Sequence, residues 1–308
     1  MSIAARRFYE RFSRSAQQRK IDHLVGVVDR IAAEQKQDQK WRMIFRRQVN
    51  ALVRQQYVHS STIPAPNALS AHRFRLHSQN EEDGVTLALL EAAGVTARRF
   101  VEIGCGGTGG NSAVLAFEFG WSGLMVDASK QAIAALAYRA TGYPGVTVLL
   151  HRVTPARFNH MLRHHGFVGE VDFLSIDIDS VDYWLLDALD VCSPRVLVME
   201  YNALFGPERS VTVPDAPLPG DAPKGYSGAS LAALTKLANR KGYRLVLCEE
   251  AGINAFFLRH DVAPRIPGLS LAEAYRPWLE RRDVDGRLQK DIDIFALIDR
   301  LGLPLVEV

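Results

Sequence analysis

The chain has 308 residues, 47% of them hydrophobic and 23% charged, with a formal net charge of +3. This composition is ordinary for a soluble globular protein and leaves room for a buried core in one large or two modest domains. The three cysteines are far apart and lack C-x-x-C spacing, which argues against a disulfide framework and a structural zinc site. No apolar run reaches the ~20 residues of a membrane span and no signal peptide is evident, so we expect a cytoplasmic protein.

The first sixty residues are predicted to form a helical extension. Apolar side chains recur there at helical spacing in two runs, which are Ile21, Leu24, Val25, Val28 and Ile31, and then Trp41, Ile44, Phe45, Val49 and Leu52. Residues 1–60 hold 13 Lys and Arg against 5 Asp and Glu, a charge of +8, whereas the rest of the chain carries −5. Such an arm can contact nucleic acid or an anionic membrane surface. Because the charges form no dense block, we favour solvated helices that pack on the rest of the chain or on a second copy in a homo-oligomer.

A connector over residues 61–76 is predicted next, since its first part is rich in Pro, Ser and Asn. Strand-like and helical runs then alternate. The strand-like runs are "RFVEIG", "GLMVDA", "GVTVLL", "VDFLSIDID", "PRVLVMEY", "YRLVLCEE" and "NAFFLR". Apolar strands joined by helices predict an α/β fold whose parallel sheet is covered on both faces.

The last two of the seven strands are predicted to pair antiparallel. Only "EEAGI" separates them, which is too short for a crossover connection. Upstream of this pair, residues 205–226 carry five of the fourteen prolines. This stretch is too long for a routine connection, so we interpret it as an active-site loop or lid. Residues 263–308 are predicted to form a helical tail.

The first predicted strand runs into a glycine-rich turn, "RFVEIGCGGTGG", which contains Gly104-x-Gly106-x-x-Gly109. Such a turn before a helix brings backbone N–H groups close to a ligand, and both dinucleotide and S-adenosylmethionine sites use it. Glu102 would repel a pyrophosphate but can accept hydrogen bonds from an ammonium. Asp127, at the end of the next strand, is placed to accept both ribose hydroxyls of either cofactor. The terminal antiparallel pair favours the methyltransferase variant of the doubly wound, Rossmann-like sheet.

Several motifs together resemble the FkbM-type and related bacterial S-adenosylmethionine-dependent methyltransferases. They are "SQNEEDG", "VEIGCG", "GWSGLMVDAS", "VDFLSIDIDSVDYW", "PRVLVMEYNALFGP" and "YSGASLAAL". The resemblance implies a methyltransferase domain, to which we assign residues 77–262, and O-methylation of a sugar, glycan or secondary metabolite. It also implies that the segment with Gln79 and Glu82 closes over the methionine end of the cofactor. The alternative for that segment is a helix cap begun by Ser78 or Asn80.

The remaining cofactor contacts are predicted at the carboxyl ends of the strands. His151 ends the third strand, near the expected adenine position, and Asp177 and Asp179 end the fourth strand. Alternation along a strand points the two aspartates to the same face. Paired carboxylates in one cleft repel unless a cation or a proton lies between them, and S-adenosylmethionine is such a cation. The predicted cofactor site is therefore made of Gln79, Glu82, Glu102, Gly104, Gly106, Asp127, His151 and Asp177.

Glu200 and Asn202 end the fifth strand at the same edge. Asp177, Glu200 and Asn202 resemble the metal ligands of catechol-type O-methyltransferases, and oxygen ligands suit Mg²⁺. The alternative is that Glu200 acts as a general base or orients the acceptor, and we predict Asp179 and Glu200 as the catalytic residues.

The sequence thus predicts an S-adenosylmethionine-dependent methyltransferase acting on a small-molecule or glycan hydroxyl. Two other hypotheses remain open, an NAD(P)-dependent oxidoreductase and a non-catalytic nucleic-acid-binding protein with a methyltransferase-like core.

Overall fold

The computed structural model describes Leu69 and residues 72–278 and 293–308, all within the unit His59–Val308. The helices predicted for residues 1–60, most of the connector and residues 279–292 of the predicted tail lie outside the described residues. None of the described helices is both long and apolar enough to cross a membrane.

The described strands form one large sheet and one small sheet. They are β1 (Arg99–Ile103), β2 (Ser122–Asp127), β3 (Val146–Leu150), β4 (Gly169–Ile176), β5 (Cys192–Glu200), β6 (Val211–Thr212), β7 (Tyr243–Cys248), β8 (Asn254–Arg259) and β9 (Val306–Glu307). The large sheet has the order β3-β2-β1-β4-β5-β8-β7, and β6 pairs with β9. The seven predicted strands are therefore all present.

The large sheet has the predicted mixed directions. Strands β1 to β5 are parallel, whereas β8 is antiparallel to both β5 and β7. This confirms the doubly wound α/β class and the antiparallel final pair. The central strands β1 and β4 are almost wholly buried, because helices cover both faces of the sheet. The strand order reverses between β1 and β4, which opens a crevice at the carboxyl ends of these strands.

The helices follow from local signals in the chain. They are α1 (Glu82–Ala93), α2 (Ala113–Phe117), α3 (Lys130–Ala140), α4 (Pro155–His164), α5 (Asp182–Ala188), α6 (Leu231–Arg240), α7 (Leu271–Ala274) and α8 (Ile294–Leu301). Ser129 caps α3 and Ser230 caps α6, each accepting a hydrogen bond from the backbone three residues on. Pro155 opens α4, where its missing N–H is harmless.

The proline-rich segment 205–226 is more structured than a simple loop. Its β6 pairs antiparallel with β9, which lies near the end of the chain. Apolar side chains from this segment and from α8 form a separate core, made of Phe205, Val211, Val213, Tyr226, Ile294 and Ile298. The described part of residues 263–308 contains the short helices α7 and α8 and the two-residue strand β9.

Candidate functional site

Two adjoining hollows open at the carboxyl ends of the parallel strands. One, of about 350 Å³, runs along the glycine-rich turn, and we call it the glycine-loop cleft. The other, of about 570 Å³, lies beneath residues 218–228, and we call it the carboxyl cavity. Gln79, Asp177 and Asp179 line both hollows. A molecule in the cleft and a molecule in the cavity would therefore meet at these three side chains.

The glycine-rich turn is held tightly against the sheet. The backbone N–H groups of Gly104 and Cys105 both donate to the Val126 carbonyl, at 2.8 and 3.1 Å. Gly104 has a φ of +89°, and a Cβ there would lie 1.5 Å from the Asp177 carbonyl oxygen. Only glycine permits this approach, which brings the turn against the end of β4.

Asp127 lies in the glycine-loop cleft at the end of β2, as its place in the sequence predicts. Its Oδ2 accepts a hydrogen bond from the Gly106 N–H at 2.8 Å, and its Oδ1 accepts one from the Ser129 N–H at 2.7 Å. The carboxylate thus joins the glycine-rich turn to the start of α3. His151 also lines the cleft, where its backbone N–H donates to the Asp127 carbonyl.

Glu102 is not among the residues that line the cleft, and its predicted hydrogen bond to an ammonium, directly or through water, stays a prediction. It is fully buried, and its two oxygens accept hydrogen bonds from the backbone N–H groups of Asn111 and Ser112, at 3.1 and 2.9 Å. Burial raises the pKa of Glu102 to about 8. Glu102 therefore stabilises the backbone that leads into α2.

We expect Glu102→Ala to lower the free energy of unfolding by about 2–4 kcal/mol, because two buried N–H groups lose their acceptor. Urea unfolding followed by circular dichroism measures this value. Glu208→Ala, at an exposed position, is the matched control and should change the value by no more than about 0.5 kcal/mol. Equal stabilities of the two variants would contradict this role.

Glu82 also lies away from the cleft, contrary to the prediction. It is fully buried, and its carboxylate accepts hydrogen bonds from the Asn80 N–H at 2.8 Å and from Asn254 Nδ2 at 3.0 Å. Neither Ser78 nor Asn80 is the N-cap of α1, which is Glu81 without a side-chain hydrogen bond, but the acidic Glu82 and Asp83 do lie in its first turn. Of this segment, Gln79 is exposed and lines both hollows.

Three carboxyl groups meet where the cleft joins the cavity. Each of Asp177, Asp179 and Glu200 offers an oxygen that lies within 4.8 Å of the others. Burial, followed by the neighbouring negative charges, raises the pKa of both Asp177 and Glu200. The two carboxyls are therefore harder to deprotonate than exposed ones.

The loop that carries Asp179 is fixed by hydrogen bonds to a carboxyl at the start of α5. Asp182 is fully buried, and it accepts hydrogen bonds from the N–H groups of Ile178 and Ser180, at 2.8 and 3.0 Å. Asp179 itself has a φ of +54°, a left-handed conformation that non-glycine residues rarely adopt. These contacts place the exposed Asp179 side chain at the junction of the two hollows.

Asn202 lines the carboxyl cavity, but its amide is engaged by the backbone around it. Its Nδ2 donates to the carbonyls of Gly225 and Ser227, at 2.7 and 2.8 Å, and its Oδ1 accepts from the Leu204 N–H at 3.0 Å. The predicted Mg²⁺ ligand set of Asp177, Glu200 and Asn202 stays a prediction, because the single backbone donor leaves the Asn202 oxygen one free lone pair. Residues 205–228 cover the carboxyl cavity, and we call them the cavity roof. Asn202 joins this roof to the end of β5.

Much of the apolar cavity lining comes from residues 205–226, which we interpreted as an active-site loop or lid, whereas Trp278 was not predicted. Its members, which come from the proline-rich segment and from the stretch after α7, are Leu218, Pro219, Ala222, Pro223, Tyr226 and Trp278. The prolines of 205–226 were the available signal for a covering segment. No pattern within residues 263–308 marks Trp278 as a wall of the same cavity.

No family model matches this chain, and no curated protein matches it in sequence. Similar solved structures include fibrillarin from Aeropyrum pernix with natively bound S-adenosylmethionine, which is 13% identical with a TM-score of 0.35 and covers 53% of this chain and 67% of its own. The N-terminal domain of EvdMO1 with S-adenosylhomocysteine bound is 15% identical with a TM-score of 0.39, and the match covers 59% of this chain and 81% of that domain's chain. A SAM-dependent methyltransferase from Aquifex aeolicus is 11% identical with a TM-score of 0.35, covering 63% and 98%. At these values the likeness carries no argument about activity, and the fold class rests on this chain's own strand order.

Proposed function

We propose that this chain is an S-adenosylmethionine-dependent methyltransferase, related to the FkbM type, that methylates a hydroxyl of a sugar, glycan or small metabolite. The observation that carries the proposal is the junction of the two hollows at Asp177 and Asp179. A methyl donor in the glycine-loop cleft would present its methyl group there to an acceptor in the carboxyl cavity.

The chemistry of the cleft favours S-adenosylmethionine over a dinucleotide. The three carboxyl groups at the junction attract a sulfonium cation and repel a pyrophosphate. In this proposal the Asp127 carboxylate accepts the ribose hydroxyls through the lone pairs that its two backbone donors leave free. His151 lies near the adenine and Gln79 near the methionine end, while Gly104 and Gly106 let the backbone approach the ligand.

The same junction supplies a proton acceptor for the acceptor hydroxyl. When bound, S-adenosylmethionine supplies the methyl group on a sulfonium leaving group. The hydroxyl oxygen forms its bond to the methyl carbon as the carbon–sulfur bond breaks, and the hydroxyl proton passes to Glu200 or Asp179. The roof over the cavity excludes water from the reacting atoms. A cytoplasmic location and self-association through the N-terminal helices stay predictions.

The test of the cofactor is direct titration. We expect isothermal titration calorimetry to show S-adenosylhomocysteine binding, and Asp127→Ala to weaken it by about tenfold or more, since a charged acceptor is lost from the ligand and from Gly106. Asp215→Ala, an exposed aspartate of the proline-rich segment, is the control and should bind as the wild type does. Tight binding of NAD or NADP with no heat from S-adenosylhomocysteine would overturn the proposal in favour of an oxidoreductase.

A further inference from the structure

We infer that residues 293–308 belong to the acceptor site, because they hold the roof of the carboxyl cavity in place. This inference rests on the proposed function only in taking the cavity as the place of the acceptor. It assigns Ile294, Ile298 and Pro304 as positioning residues, which act through Tyr226 and the segment around it.

The most direct contact joins Tyr226 to the end of the chain. Tyr226 lines the carboxyl cavity and is buried, and its hydroxyl donates to the Pro304 carbonyl. The Tyr226 backbone N–H donates to Pro223, so the ring and the turn beside it are fixed together. Any movement of Pro304 would therefore move the aromatic wall of the cavity.

The second contact is a small core shared by the roof segment and α8. Ile294 and Ile298 are each 2% exposed and pack with Phe205, Val211, Val213 and Tyr226. Leu218 and Ala222, which line the cavity, lie against this core. Two inward-facing isoleucines of α8 thus support the roof from outside the cavity.

The third contact is the strand pair β6–β9. Val211 is paired with Glu307 and Thr212 with Val306. The Val211 N–H donates to Ser230 Oγ at the start of α6. The roof segment is therefore held between the C-terminal strand and the main body of the fold.

None of these contacts involves the cofactor site. Among the described residues, those that line the glycine-loop cleft include no member of residues 205–228 or 293–308. Loss of the C-terminal support should therefore loosen the acceptor cavity and leave cofactor binding intact. A residue that served the fold as a whole would affect both sites.

Hydrogen–deuterium exchange of the full-length protein tests the inference. We expect Ile298→Asp to raise the exchange rates of peptides within residues 205–228 by about tenfold or more, while S-adenosylhomocysteine affinity stays within about threefold of wild type. The conservative variant Ile298→Val should keep the exchange of these peptides as slow as in the wild type. Leu301→Asp is the matched control, because Leu301 lies on the same helix but is 50% exposed, and it should leave exchange unchanged.

Unchanged exchange over residues 205–228 in Ile298→Asp would overturn the inference. Should that variant unfold as a whole, Tyr226→Phe decides, because it removes only the hydrogen bond to Pro304. It should raise the exchange rates several-fold within residues 224–228 and leave the exchange rates of β1 to β5 unchanged. If the exchange rates within residues 224–228 do not rise, the inference is overturned. Failure of the wild type to bind S-adenosylhomocysteine would instead count against the proposed function, since the exchange measurement needs no cofactor.

Discussion

Gly104→Ala is expected to weaken S-adenosylhomocysteine binding by at least about 100-fold, which corresponds to about 2.7 kcal/mol. The added Cβ would lie 1.5 Å from the Asp177 carbonyl oxygen, far inside van der Waals contact. The turn must then move away from β4, and the glycine-loop cleft loses the wall on which the ligand rests. The left-handed φ of +89° adds a backbone cost of about 1–2 kcal/mol.

Gly106→Ala separates these two effects. Gly106 also has a positive φ, +54°, but a Cβ there meets no atom within 4 Å. We therefore expect this variant to show only the backbone cost and a loss of affinity of roughly tenfold or less. Calorimetric titration gives both affinities, and circular dichroism confirms that the variants are folded. If Gly104→Ala bound as tightly as Gly106→Ala, the close approach to β4 would not be what shapes the cleft.

The main sheet is predictable because its signals are local. Each central strand is an apolar run bounded by turn residues, and the five-residue link before β8 leaves room only for an antiparallel pair. The carboxyl ends of parallel strands meet at one edge, so strand positions alone put Asp127, Asp177 and Glu200 at the edge where the two hollows open.

The partners of the buried polar groups were not predictable in this way. Glu82 accepts a hydrogen bond from Asn254, which is 172 positions away along the chain. Glu102 turns to Asn111 and Ser112, because a carboxyl inside the sheet needs donors and the nearest are the free N–H groups before α2. A carboxylate at the right place in a motif does not reveal which way its side chain turns.

The support that residues 293–308 give to the cavity roof could not be predicted from hydrophobic periodicity either. Strands β6 and β9 have two residues each, too few to show an alternating pattern. Tyr226 and Pro304 meet only because this short pairing brings two distant parts of the chain together. The roof of the cavity is formed by contacts between distant parts of the chain. Its carboxyl groups, Asp177, Asp179 and Glu200, which we call the carboxyl floor, lie at the ends of neighbouring strands.

The pH dependence of the reaction should follow from that carboxyl floor. A general base acts only when it is deprotonated, and burial raises the pKa of both Asp177 and Glu200 above that of an exposed carboxyl. The active fraction therefore increases as pH rises through the raised pKa of the pair. We expect turnover to climb between about pH 6 and 8 and not to follow the titration of an ordinary carboxyl near pH 4.

Glu200→Gln should reduce turnover by about 10²-fold or more and remove this rise with pH, while S-adenosylhomocysteine affinity stays nearly unchanged. The substitution keeps the shape of the side chain and removes its ability to take a proton. Methyl transfer from labelled S-adenosylmethionine to a panel of hydroxyl compounds measures turnover across the pH range. Glu208→Gln, at an exposed position of the neighbouring loop, is the control and should behave as wild type.

A chelator separates a plain base from a metal-assisted reaction at the same carboxyls. If Glu200 acts as a plain base, EDTA should leave the turnover of the wild type unchanged. Activity lost in EDTA and restored by Mg²⁺ would mean that the carboxyl groups bind the metal, since oxygens of Asp177, Asp179 and Glu200 already lie within 4.8 Å of one another. Full turnover by Glu200→Gln would refute both mechanisms, because each requires charge on the carboxyl that links β5 to the cavity.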